Sequence, residues 1–152
     1  MKIIVLGIGN RLLMDDGIGV YVVDELKKRD STSVITYVIG ETDIDYCLDE
    51  TEDADYLFII DAAQSGNPPG HIMVFKLEEI VTMNDIGLTM HNLHLFDMLV
   101  YSKNRLKGLI IGIEPYMIDY CLGLSIVLTT KLKEITGHVK DIISRSLQEY
   151  TY

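Results

Sequence analysis

Two carboxylates and one imidazole are the side chains of this sequence whose types and positions could do chemistry together. Asp16 follows the first apolar segment and its glycine loop, Asp61 ends a later apolar segment, and His91 begins a predicted helix. The carboxyl ends of parallel strands share one edge of a sheet, so residues distant in sequence can meet there. Two carboxylate oxygens and one imidazole nitrogen suit a divalent transition ion such as Ni²⁺ or Zn²⁺ with open coordination positions.

Each of these residues also has an ordinary structural explanation, which the spacing alone leaves open. Asp16 could be an acid at a helix N-terminus, where the helix dipole favours negative charge. Asp61 could cap a turn through its side chain, and His91 could hydrogen-bond a neighbour at the start of its helix. We expect Asp15, beside Asp16, to orient the loop rather than to bind metal.

The glycine loop Gly7-Ile8-Gly9 offers a different chemistry, the binding of a phosphate. A dinucleotide-binding fingerprint has a third glycine, but Leu12 stands at that position here. Asp15 and Asp16 would also repel a pyrophosphate. A nucleotide-binding or metal-binding module without proteolytic activity is therefore the alternative to an enzyme.

Alternating strands and helices must position these side chains. The apolar pattern predicts strands at residues 2–7, 33–39, 56–60, 71–77 and 109–113, and helices at 16–29, within 43–55, at 91–102 and at about 123–149. Several strands are apolar throughout, which is typical of parallel strands covered on both faces. A turn rather than a helix precedes the fourth strand, which predicts one antiparallel pairing. We expect one α/β domain over residues 1–152, a three-layer α/β/α sandwich with about five strands.

The composition argues against a protein that binds nucleic acid or membranes. The net charge is −10, whereas binding to nucleic-acid or lipid phosphates needs clustered Lys and Arg. The apolar region 108–128 carries Glu114 and Asp119, so we do not expect it to span a membrane. Cys47 and Cys121 form no CxxC pair and fit a reducing, cytoplasmic compartment. We also expect a monomer.

Five short motifs are spread in order over nearly the whole chain: Gly7-Ile8-Gly9-Asn10-x-Leu12-x-x-Asp15-Asp16-Gly17-x-Gly19, Ile59-Ile60-Asp61-Ala62, Asn67-x-Pro69-Gly70, His91-Asn92-Leu93 and Gly112-Ile113-Glu114-Pro115. In order and spacing this set resembles the [NiFe]-hydrogenase maturation endopeptidases. Among the branches of that family, the chain looks closest to the proteases that mature the hydrogenase large subunit of formate hydrogenlyase.

The resemblance implies a nickel-dependent endopeptidase, a hydrolase that removes the C-terminal extension of a hydrogenase large-subunit precursor after nickel insertion. In the family, the nickel of the precursor is the recognition element, and two acids and one histidine of the protease are its ligands. By motif match these catalytic and metal-binding residues are Asp16, Asp61 and His91, with Ni²⁺ presented by the precursor. The implied fold is a twisted five-stranded sheet between helices.

One loop departs from the family's pattern. The family usually carries an acid and two glycines after its second strand, whereas this chain has Ile39-Gly40-Glu41-Thr42. Either Glu41 supplies the missing carboxylate or it simply faces solvent, and the sequence leaves both readings open.

Overall fold

A five-stranded sheet with helices on both faces forms the centre of the protein in a computed structural model, which describes residues 1–82, 94–99 and 106–152. Its strands are β1 (Ile3–Ile8), β2 (Ile35–Glu41), β3 (Tyr56–Ala62), β4 (Ile72–Lys76) and β5 (Lys107–Ile113). The helices are α1 (Ile18–Arg29), α2 (Ile44–Thr51), α3 (the helical residues 94–99) and α4 (Ile126–Thr151). Two 3₁₀ helices are η1 (Met14–Gly17) and η2 (Leu77–Thr82).

The strands lie in the order β2-β1-β3-β5-β4, and only the β4–β5 pairing of the described sheet is antiparallel. The predicted mostly parallel sheet with one antiparallel strand is therefore confirmed. β4 does not pair with β3, which precedes it in the chain, because β5 lies between them. β5 is largely buried, whereas β4 exposes Val74 and Lys76, and this pattern suits an edge strand.

The two faces of the sheet are covered by separate helical layers. Phe58 and Ile60 of β3 pack in the layer that contains α1 and α4. Leu57 and Ile59 of the same strand pack in the layer that contains α2 and α3. Successive side chains of a strand point to opposite faces of the sheet. A strand that is apolar throughout is therefore buried on both faces. The predicted three-layer arrangement is confirmed.

Apart from the helix predicted at 91–102, the boundaries of the elements agree with the sequence prediction to within a few residues. The predicted helix at 16–29 is observed as α1, preceded by the separate turn η1 that carries Asp15 and Asp16. The C-terminal helix begins at Ile126 rather than near residue 123, because Gly123 has a φ of 101° and the Ser125 side chain caps the helix by accepting from the Leu128 amide.

Part of the predicted helix at 91–102 lies outside the described residues, and His91 is among the residues not described. None of the described helices is both long and apolar enough to cross a membrane. The single-domain organisation stays a prediction.

Candidate active site

The carboxyl ends of the parallel strands bring two of the predicted site residues to one edge of the sheet. Gly7 near the end of β1 pairs with Ile60 of β3, so the chain leaves both strands at the same level. Asp61 follows directly in β3, and η1, which carries Asp16, contacts this strand. Asp16 and Asp61 therefore share the edge that the sequence predicted for them.

Two glycines allow the close approach of η1 and α1 to the strand ends. Gly9 has a φ of 131°, and a Cβ there would lie 3.1 Å from the carbonyl carbon of Asp16 and would overlap its oxygen. A Cβ at Gly19 would lie 2.7 Å from the carbonyl carbon of Ile60, the residue before Asp61. The glycines thus serve packing within the chain, and they place Asp16 against the end of β3.

Asp16 and Asp61 are both buried carboxylates with defined orientations. The Ala62 amide donates to Oδ1 of Asp61 at 2.8 Å, and the Asn10 amide donates to Oδ2 of Asp16 at 2.8 Å. Two carboxylates held at one edge create a negative potential that attracts cations. Their oxygens are suitable ligands for a divalent ion, so this pair fits the predicted chemistry.

The third predicted ligand cannot be placed, because His91 lies outside the described residues. Within residues 1–82, 94–99 and 106–152, no three His, Cys, Asp or Glu side chains are grouped as a metal site. The predicted ligand set thus consists of two described carboxylates and one histidine whose position stays a prediction.

Asp15 has a structural role, as the sequence predicted. Its buried carboxylate accepts hydrogen bonds from the amides of Tyr116 (3.0 Å), Met117 (2.9 Å) and Ser125 (2.7 Å). The Ser125 hydroxyl donates a further bond to Asp15 at 2.7 Å. These partners satisfy the carboxylate, which fixes the conformation of the loop beside Asp16.

The opening loop (residues 9–17) and a companion loop (residues 114–125) are joined by their backbones. The Met14 amide donates to the Cys121 carbonyl at 3.0 Å, and the Cys121 amide donates to the Leu12 carbonyl at 3.0 Å. The Gly123 amide also donates to the Arg11 carbonyl at 3.3 Å. Sequence reasoning missed the companion loop as a part of the site, since its partners lie about a hundred residues away in the chain.

Glu114 organises the loop that follows β3. Its buried carboxylate accepts from the Ser65 amide at 2.9 Å, the Ser65 hydroxyl at 2.7 Å and the Gly66 amide at 3.1 Å. The sequence placed Glu114 in a motif but assigned it no function. Its contacts show that it holds the chain just beyond Asp61.

Glu41 contacts the opening loop through its side chain and its backbone, and whether it supplies the carboxylate missing from the family's pattern stays a prediction. Its side chain forms an ion pair with Arg11 of the opening loop, and its carbonyl accepts from the Gly9 amide at 2.9 Å. Its φ of 51° lies in the left-handed region that favours glycine. Because both side chains are partly exposed, the ion pair contributes at most about 1 kcal/mol, and its main effect is to orient the loop.

Cys47 of α2 packs against Gly40, near the end of β2. It is not a nucleophile of the candidate site. Burial, with a smaller effect of the nearby Asp43 carboxylate, raises the pKa of its thiol to about 12. The thiol is therefore protonated at neutral pH, and the thiolate is the nucleophilic form. A Cβ at Gly40 would overlap its sulfur, which explains the small residue at that position.

The Asp15 contacts predict a large loss of stability in Asp15→Asn. We expect the free energy of unfolding to fall by about 2–4 kcal/mol, because the amide loses the charge and one of the two acceptor oxygens that serve four donated hydrogen bonds. Urea denaturation followed by circular dichroism measures the change. Asp119→Asn, at an exposed residue of the companion loop, is the control and should change stability by less than about 0.5 kcal/mol. Equal midpoints for the two variants would contradict the anchoring role of Asp15.

Comparison with sequences of known proteins gives one consistent family. The family model described as "HycI: Hydrogenase maturation protease" matches residues 20–148. The hydrogenase 2 maturation protease of Escherichia coli (strain K12) is 32% identical over 133 residues, which cover 82% of this chain and 80% of that protein. A putative hydrogenase maturation protease of Methanocaldococcus jannaschii is 28% identical over 131 residues, covering 79% and 76%.

Solved structures give the same result. The hydrogenase maturating endopeptidase HybD from E. coli is 28% identical and superposes with a TM-score of 0.82, covering 96% of this chain and 94% of that chain. A hydrogenase 3 maturation protease, 18% identical with a TM-score of 0.71 over 90% of this chain and 88% of that chain, shares the fold. The range matched by the family model includes Asp61 and His91, whereas Asp16 precedes it.

Proposed function

The chain belongs to the hydrogenase maturation protease family, and we propose that it removes the C-terminal extension of a [NiFe]-hydrogenase large-subunit precursor after nickel insertion. Family membership makes the protein a protease and hence a hydrolase. The alternative, a nucleotide- or metal-binding module without proteolytic activity, is not favoured, because the relatives are maturation proteases and endopeptidases.

The pair of buried carboxylates at the sheet edge is the observation that carries the proposal. Asp16 and Asp61 come from different elements, yet the glycine contacts at the start of α1 hold them at the same edge. In the proposed complex these two acids and His91 bind the Ni²⁺ of the precursor. The metal arrives with the substrate, and its binding places the scissile bond beside the site.

The protein holds the Asp16 and Asp61 carboxylates in fixed orientations before the substrate binds. Backbone amides fix one oxygen of Asp16 and one of Asp61, so little reorganisation is needed when the substrate binds. An ion held by these residues would supply Lewis-acid chemistry, which polarises a scissile carbonyl or activates a water molecule. The chain has no HExxH motif, so it lacks the helix-borne glutamate base of zinc proteases that carry it.

We further propose that the protein works as a monomer in the cytoplasm and binds neither nucleic acid nor membranes. The two cysteines are free thiols, which fits a reducing compartment. The net charge of −10 opposes binding to polyanions.

Nickel recognition predicts that the metal content of the precursor controls cleavage. We expect nickel-loaded precursor to be cleaved at least about tenfold faster than nickel-free precursor, since metal coordination worth only 1.4 kcal/mol gives that factor. Mass spectrometry of the released C-terminal peptide measures the two rates. Protease stripped with a chelator and returned to metal-free buffer is the control, and it should cleave nickel-loaded precursor at the full rate. Equal cleavage of both precursors would contradict nickel recognition but not the protease assignment.

A further inference from the structure

Six large apolar side chains are exposed beside the candidate active site. Tyr120 is 92% exposed, Ile126 is 87% exposed and Leu122 is 71% exposed. We define the apolar rim as the six exposed large apolar residues of the opening loop, the companion loop and the first position of α4: Leu12, Tyr116, Met117, Tyr120, Leu122 and Ile126. Large apolar patches on a soluble protein commonly mark a binding surface.

The backbone under the apolar rim is firmly held, so the exposure is not a sign of a loose loop. The backbone amides of Tyr116, Met117 and Ser125 in the companion loop all donate hydrogen bonds to the Asp15 carboxylate. The Cys121 amide is bonded to the Leu12 carbonyl. A surface that is already ordered pays little conformational entropy when a partner binds.

The apolar rim adjoins the candidate active site through the opening loop, where Asn10 accepts from the amide of the rim residue Leu12 and donates its own amide to Asp16. Asp15 anchors the companion loop, and Asp16, the next residue of η1, is the proposed ligand. A partner seated on the rim is therefore placed next to Asp16. The exposed rim therefore borders the loop that carries the buried carboxylate of Asp16.

The charges around the rim indicate the chemistry of its partner. Asp119 is exposed between the apolar residues, and the only cation of the opening loop, Arg11, is paired with Glu41. The whole chain carries a net charge of −10. Complementarity thus favours an apolar patch flanked by Lys and Arg.

We propose that the apolar rim is the docking surface for the large-subunit precursor, and that it binds an apolar, basic-flanked patch on the precursor. This inference rests on the proposed function, because it takes the precursor as the partner. The rim contributes to the affinity for the precursor, whereas the carboxylates contribute to the reaction by binding the metal. Changes in the rim should therefore raise KM and leave kcat unchanged.

The test compares lysine substitutions inside and outside the rim. We expect the double variant Tyr120→Lys/Leu122→Lys to raise the KM for nickel-loaded precursor at least about tenfold with unchanged kcat, since central aromatic contacts carry much of the binding energy. Val34→Lys, which removes an apolar side chain that is 64% exposed and lies outside the rim, is the control and should change neither constant. Denaturation midpoints should stay equal for all three proteins. An unchanged KM in the double variant would overturn the inference.

The sign of the introduced charge tests the basic character of the partner. Leu122→Asp removes the same apolar side chain as Leu122→Lys but adds a negative charge, so its KM should rise less. A larger rise for the aspartate variant would overturn the assignment of a basic-flanked patch.

Two further measurements separate this inference from the proposed function and from self-association. If the protein cleaves no precursor, the proposed function fails, and precursor binding by biolayer interferometry still shows whether the double variant weakens Kd. Sedimentation of the free protein tests a second copy as the occupant of the rim. A dimer that the double variant converts to monomer would overturn docking of the precursor.

Discussion

Asp61→Asn is expected to reduce the cleavage rate of nickel-loaded precursor by about 100-fold or more while the domain stays folded. Asparagine has the shape of aspartate and keeps an oxygen that can accept from the Ala62 amide, so the buried end of β3 is preserved. What is lost is the negative charge that the proposed site offers to the metal. The same reasoning predicts a comparable loss for Asp16→Asn, whose amide oxygen can still accept from Asn10.

Rates measured at saturating precursor, together with urea denaturation, distinguish loss of chemistry from loss of folding. Asp53→Asn, a change at an exposed acid away from the sheet edge, is the matched control and should cleave at the full rate. His91→Ala tests the third predicted ligand and should behave as the two acid variants do. Full activity of the triple variant Asp16→Asn/Asp61→Asn/His91→Ala would refute the site.

Gly19→Ala and Gly137→Ala are expected to change stability in opposite directions, although both place alanine in a helix. Helix propensity alone favours alanine over glycine by about 1 kcal/mol. At Gly137 of α4 nothing lies within 4 Å of the new methyl group, so we expect a gain of about 0.5–1 kcal/mol. At Gly19 the methyl group would overlap the Ile60 carbonyl, so we expect a net loss of about 1–3 kcal/mol.

The Gly19 variant should also lose activity beyond what unfolding explains. Relief of the overlap moves the start of α1 away from β3, and this displaces η1 and Asp16 relative to Asp61. The value of kcat, measured at a temperature where both variants are fully folded, should fall for Gly19→Ala and stay unchanged for Gly137→Ala. A parallel gain of stability in both variants would show that α1 is not tightly packed on the strand ends.

The sheet and its main helices could be predicted because buried strands and helices have characteristic apolar patterns in the local sequence. The apolar runs of β1 and β3 and the spaced apolar residues of α1 are such patterns, and the structure confirms the elements that they predict. The pairing of β4 with β5 could not be predicted from the local sequence, because the arrangement of the whole sheet decides which strand lies beside an edge strand. The start of α4 was misplaced by about three residues, since a single cap at Ser125 decides it.

The site was predictable where it depends on strand ends and not where it depends on distant contacts. Asp16 and Asp61 could be placed at one edge because parallel strands end at the same level. The companion loop could not be found, since the bonds from Asp15 reach residues 101 to 110 positions later and create no periodicity. The position of His91 stays a prediction.

The Asp15 anchor also sets the order in which the protein can acquire its function. Asp15 is synthesised early, but its partners, up to Ser125, follow more than a hundred residues later. Contacts of such long separation form late, because the intervening chain must first be brought together. On the ribosome, the first strands can therefore be complete while η1 and Asp16 still lack their final geometry. A nascent chain that ends before Ser125 contains all five strands, the last of which ends at Ile113, but it lacks the Ser125 contacts that hold Asp15 beside Asp16.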